Sequence, residues 1–115
     1  MLRALFIGFM QTHILFHASE GPVYGVALME ELGRHGYRIG PGTLYPILHR
    51  LERQGLLRRE KELVDGKVRK YYRITPAGKR TLVRAQTQVR ELVGEILPGS
   101  RAKQSRKRPG ARGKF

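Results

Sequence analysis

The Asp65-Gly66 pair constrains this chain more than any other feature, because it sits between two runs that alternate as strands do. Asp-Gly supplies both positive-φ positions of a two-residue hairpin turn, whose twist matches that of the strands it joins. Residues 56–63 lead into it. After it, Val68, Lys70, Tyr72 and Ile74 share one face, and Arg69, Tyr71 and Arg73 share the other. A lone hairpin is marginal in water and must lean on something else. Its support has to come from the helical segments on either side.

Residues 2–18 place Leu2, Leu5, Phe6, Phe9, Met10, Ile14, Leu15 and Phe16 on most faces of a helix. That pattern fits a helix buried between the domain and a partner. The segment stops at Ser19-Glu20-Gly21-Pro22. A second helix is predicted over 23–34, with Tyr24, Leu28 and Leu32 stacked at i, i+4 and i+8, and Gly36 past its end. A third is predicted to open at Thr43 as N-cap and to end at Gly55, which puts Pro46 in the first turn. Thr75-Pro76 then reads as N-cap and N1 of a last helix that ends at Pro98-Gly99. The order helix–helix–helix–hairpin–helix is mainly α with a small β-hairpin: a winged helix-turn-helix, with the hairpin as wing, plus a C-terminal dimerisation helix. The expected division is a DNA-binding domain over 1–75, the dimerisation helix over 76–97 and a disordered basic tail over 98–115.

Charge narrows the class of partner. Twenty-three Lys and Arg against nine Asp and Glu leave +14, a balance that attracts polyanions. Seven of the basic residues stand in 98–115 with no acidic residue among them, and removing those seven leaves +7 on residues 1–97. The folded part is therefore basic in its own right. There are no cysteines, so disulfides, thiolate metal sites and cysteine nucleophiles are excluded. No apolar run approaches the roughly 20 residues of a membrane span, and Met1–Met10 lacks a signal-peptide cleavage pattern. A cytoplasmic protein without a membrane partner is expected.

Laid out at about 100° per residue, the third helix groups Leu44, Ile47, Leu48 and Leu51 on one side. Pro46, His49, Arg50 and Arg53 fall opposite, with Tyr45 on the flank. Arg can bond guanine O6 and N7 bidentately in the major groove, and His or Tyr can reach bases or phosphates. The plainer alternative is a solvated basic face. The hairpin adds Lys67, Arg69 and Lys70 at its tip and Arg58, Arg59 and Arg73 at its base, suited to phosphate or minor-groove contact. On the last helix Leu82, Ala85, Val89, Leu92, Val93 and Ile96 form a narrow apolar stripe, and a coiled-coil-like seam with a second copy is the expected use. A homodimer would set two recognition helices about one DNA turn apart on a pseudo-palindromic operator in double-stranded DNA.

Two further groupings stand on the helical segments. His13 and His17, at i and i+4 with Glu20 three residues on, share a helical face and have ligating chemistry; without cysteine or a clear fourth ligand they read as ordinary partly buried or surface histidines, and no metal or other cofactor is assigned. Phe6, Phe9, Phe16 and Tyr24 read as core, with an effector pocket at a dimer interface as the alternative. No Ser–His–Asp set, Gly-rich phosphate loop or spaced carboxylate pair is present, so an enzyme is not expected.

The stretches GTLYPILHRLE (42–52) and RKYYRITPAG (69–78), with HIL (13–15), EGPVYG (20–25) and GLL (55–57), resemble the PadR family of transcriptional regulators over roughly residues 10–82. The resemblance implies a dimeric winged-helix protein, usually a repressor, whose C-terminal helix mediates dimerisation; release by a small molecule or other signal of unknown identity is expected. Carried over by position, Thr43, Tyr45, Pro46, His49 and Arg50 fall in the recognition segment, and Lys67, Arg69 and Lys70 in the wing. Gly40 stands where many members have a capping Ser. The chain also has no Trp, so the planar-ligand chemistry of Trp-containing relatives is not implied.

Overall fold

The computed structural model describes residues 1–99; the tail of 98–115 expected from the sequence therefore lies almost wholly outside the described residues. The elements in chain order are α1 (Leu2–Glu20), α2 (Gly25–Arg34), α3 (Pro41–Arg53), β1 (Leu57–Val64), β2 (Lys67–Ile74) and α4 (Pro76–Ile96). They form two compact units, Met1–Leu82 and the segment from Val83 onward. No helix among the described residues is long and apolar enough to cross a membrane.

The first unit closes around one apolar cluster. Met10, Ile14, Leu15 and Ala18 of α1 meet Leu28 and Leu32 of α2, and Leu44, Ile47, Leu48 and Leu51 of α3, with Leu57, Tyr72 and Leu82 completing it. The α3 contribution is the apolar face expected from its periodicity. Leu82, expected in the dimer seam, is only 5% exposed and belongs to this core instead. Of that stripe Ala85, Val89, Leu92, Val93 and Ile96 remain outside the core cluster.

α3 begins two residues before Thr43, because Pro41 at N1 comes with the helical φ already set and Gly40 takes the N-cap position. Thr43 is therefore not the cap; its N–H donates to the Gly40 carbonyl at 3.1 Å. The earlier start of α3 also puts Pro46 in the helix interior. There it withholds a bond from the carbonyl four residues back, that of Gly42. α2 likewise starts later than its pattern implied, at Gly25. Val23 is held out of the helix because its N–H and carbonyl bond the backbone of Tyr72 at 3.0 and 2.9 Å.

That bridge makes Val23 a one-residue third strand and docks the hairpin on the α1–α2 connection. β1 and β2 pair antiparallel from Leu57↔Ile74 to Val64↔Lys67, leaving Asp65 and Gly66 as the turn. Both turn residues have positive φ, 50° and 77°, as the type I′ geometry requires. Thr75 caps α4 as the sequence indicated: its Oγ1 accepts from the Gly78 N–H at 3.0 Å and donates to the Gly55 carbonyl at 2.6 Å.

Candidate nucleic-acid interface

α2 and α3 form the helix-turn-helix, and the face of α3 turned from the core carries the expected residues. Pro46, Arg50 and Arg53 are exposed, while Thr43, Tyr45 and His49 are half-buried. Tyr45 is the least free of these. A Cβ at position 25 would stand 2.1 Å from its hydroxyl oxygen, so Tyr45 packs over Gly25 of α2, and only glycine leaves room for it there. Its ring centroid lies 6.3 Å from that of His49.

The hairpin divides its cations into two kinds. At the base, Glu60 accepts from Arg58 Nε at 2.9 Å, Arg73 Nε at 3.1 Å and the Tyr71 hydroxyl at 2.9 Å. The Tyr71 bond, then Arg58, hold the Glu60 carboxyl below its ordinary pKa, while the same bond raises that of Tyr71. Arg59 pairs with Glu52 of α3 at 3.7 Å, tying β1 to that helix. All three base arginines expected to meet DNA are thus engaged by carboxylates. At the tip, Lys67, Arg69 and Lys70 are exposed. No carboxylate among the described residues lies within ion-pairing distance of Arg50, Arg53, Lys67, Arg69 or Lys70. Arg69 sits 5.7 Å over the Tyr24 ring, a contact that orients the guanidinium without neutralising it.

Tyr24 has left the aromatic group in which the sequence placed it. Its ring lies 5.6 Å from Tyr71 and its hydroxyl bonds Glu62, so it braces the hairpin. Phe6 instead packs against the core and lies 6.1 Å from Tyr37, while Phe9 and Phe16 are about two-fifths exposed at 43% and 41%. The central role of Glu60 went unread in the sequence. Counting outward from Asp65-Gly66 sets it opposite Tyr71, and that register was the available signal. In the second unit Val89, Leu92 and Ile96 are exposed at 42%, 49% and 61%, and Val93 is half-buried.

A family model described as the transcriptional regulator PadR-like family matches residues 14–84. The chain is 51% identical over 90 residues to the transcriptional regulator Rv3488 of Mycobacterium tuberculosis, covering 78% of this chain and 84% of that protein. Its fold matches the crystal structure of a PadR family transcriptional regulator from Eggerthella lenta with TM-score 0.72 and 40% identity, over 86% of this chain and 90% of that one. A Streptococcus transcriptional regulator superposes with TM-score 0.74 at 26% identity, over 80% and 92% of the two chains. The matched span takes in the helix-turn-helix, the whole hairpin and the start of α4, so this chain belongs to the PadR-like family of transcriptional regulators and is a regulator rather than an enzyme.

Proposed function

We propose that this regulator is a homodimeric repressor that binds double-stranded DNA sequence-specifically, with α3 in the major groove and the hairpin tip along the backbone. The observation that carries the reading is the sorting of cations. Arg50, Arg53, Lys67, Arg69 and Lys70 keep their charge unpaired, while the arginines at the hairpin base are held by Glu60 and Glu52. A protein exposing unpaired Arg on a recognition helix has the donors that guanine O6 and N7 require. Unpaired Lys on a thin hairpin suits phosphate, which positions the protein without reading sequence. In this reading Thr43, Tyr45, Pro46 and His49 shape the surface around the two arginines, with Tyr45 serving chiefly to hold α3 on α2.

Dimerisation is assigned to Val89, Leu92, Val93 and Ile96 of α4, whose apolar side chains are more exposed than a monomer gains from. Two copies then address two half-sites about 34 Å apart, matching a pseudo-palindromic operator. Release by a small-molecule effector completes the proposal. Sequencing of genomic fragments retained by the purified full-length chain tests it. Enrichment of a few sites with inverted half-sites one DNA turn apart is expected. Uniform recovery of the genome would contradict it and favour a non-specific nucleic-acid binder.

A further inference from the structure

The histidines of α1 keep the Glu20 that their spacing offered and gain partners from α2 that the spacing did not reveal. The Glu20 carboxylate stands 3.8 Å from His17 Nδ1. At the other ring nitrogen, Glu31 of α2 places Oε2 4.0 Å from His17 Nε2. The same Oε2 lies 3.3 Å from Nε2 of His35, the residue that caps the C-terminus of α2. One ligating atom from each of His17, Glu31 and His35 falls within 4.8 Å of the other two. His13 adjoins them, its ring centroid 5.1 Å from that of His35 and 5.7 Å from that of His17.

We propose that His17, Glu31 and His35 form a binding site for a borderline divalent transition-metal ion of the Zn2+, Co2+ or Ni2+ class, with the fourth position taken by His13 or water. Geometry and unmet bonding both support the assignment. A tetrahedral ion bound at about 2.0–2.1 Å sets its ligands roughly 3.3–3.4 Å apart. The separations of 3.3 and 4.0 Å from Glu31 Oε2 need only small side-chain rotations to reach that. Among the described residues, His17 Nε2 and His13 Nδ1 are buried side-chain nitrogens without a hydrogen-bond partner. Leaving a buried polar atom unsatisfied is costly, and an ion at the centre of the group would satisfy the His17 nitrogen directly.

The chemistry of the donors selects the ion. Two imidazoles and one carboxylate are too nitrogen-rich for Ca2+ or Mg2+, and a chain without cysteine offers no thiolate for softer ions. Arg34 engages the other Glu31 oxygen, Oε1, which leaves Oε2 for monodentate ligation and holds Glu31 below its ordinary pKa. The Glu20 carboxylate beside His17 Nδ1 is in the position from which an outer partner fixes the tautomer of a ligating imidazole. Bound there, the ion would clamp α1 to the end of α2, next to the connection that leads into α3.

The inference stands apart from the DNA-binding reading and is tested without DNA. Chelator-treated full-length protein titrated with Zn2+ in a calorimeter, and with Co2+ by visible absorption, should show saturable binding of one ion per chain. Glu31→Gln and His35→Ala should each weaken binding by about tenfold or more, and His17→Ala with His35→Ala should abolish it. His35 is half-exposed at 49%, so its replacement leaves the core intact, and metal-free melting curves confirm that each variant folds. Absence of saturable binding to the wild-type chain overturns the site. So does undiminished binding to the His17→Ala, His35→Ala double variant, which would place the ion elsewhere.

Discussion

In the proposed DNA-binding reading, Arg50 and Lys67 carry the same charge toward different work. Arg50 stands on the exposed face of α3, where a planar guanidinium can form two bonds to one guanine; Lys67 opens β2 at the hairpin tip, where only a point charge is needed. Arg50→Ala is expected to cost about 1–3 kcal/mol of operator binding and to relax base preference at one position of each half-site. Lys67→Ala should weaken binding to all sequences alike and reduce the log–log salt slope by about 1 per bound chain. Titrations of matched and single-substituted operators at several salt concentrations distinguish the two. Glu60 gives a residue-scale prediction of a different kind. Its carboxyl is held below the ordinary range, so it stabilises the fold as a carboxylate: the contribution is present above that range and is lost as pH falls through the folded-state pKa. Glu60→Gln should therefore melt below the wild type at neutral pH, and the gap should close as pH falls through the acidic range, so that the variant's own loss of stability on acidification is shallower.

Among the elements, the junction between the hairpin and α4 is the most tightly specified. Thr75 caps α4 and reaches back to Gly55, and a Cβ on Gly78 would lie 2.2 Å from the Leu56 carbonyl oxygen, a backbone atom that cannot easily withdraw. Thr75→Ala should cost about 0.5–2 kcal/mol through the lost cap, and Gly78→Ala about 1–3 kcal/mol through overpacking, both measured by chemical denaturation. This junction and the hairpin turn were legible beforehand, because Asp-Gly and Thr-Pro encode backbone geometry over two adjacent residues. The buried face of α3 was legible too, since a period of 3.6 alone groups Leu44, Ile47, Leu48 and Leu51. What escaped were features made by distant segments. The start of α3 was misplaced because Thr43 is the stronger cap by side chain while Pro41 is stronger by backbone, and the backbone preference prevailed. The Val23–Tyr72 bridge and the approach of Glu31 and His35 to α1 join residues whose spacing in the chain carries no local signal, whereas the Glu60–Tyr71 pairing follows from the hairpin register alone. Leu82 lies on the same helical stripe as Val89 and Ile96, and periodicity cannot tell a core ending from a seam beginning.

For the whole molecule, the +14 charge sets attraction to DNA but not the choice of site. A Lys/Arg-rich segment gains affinity by counterion release, equally at every sequence. Deleting residues 98–115 should therefore lower affinity and salt dependence while leaving the preferred sites unchanged, as read by parallel binding to genomic fragments. Dimerisation belongs to the same scale. Leu92→Glu places a charge in the proposed α4 seam. It should shift the chain from dimer to monomer in sedimentation, and it should reduce affinity for a two-half-site operator far more than for one half-site. The most direct test of sequence-specific regulation is competition at near-physiological salt, with labelled operator challenged by unlabelled operator or by scrambled duplex of the same length. Scrambled duplex should need at least about a thousandfold excess over operator for equal displacement, the lower end of the range for specific regulators. Equal competition by the two duplexes would contradict the account.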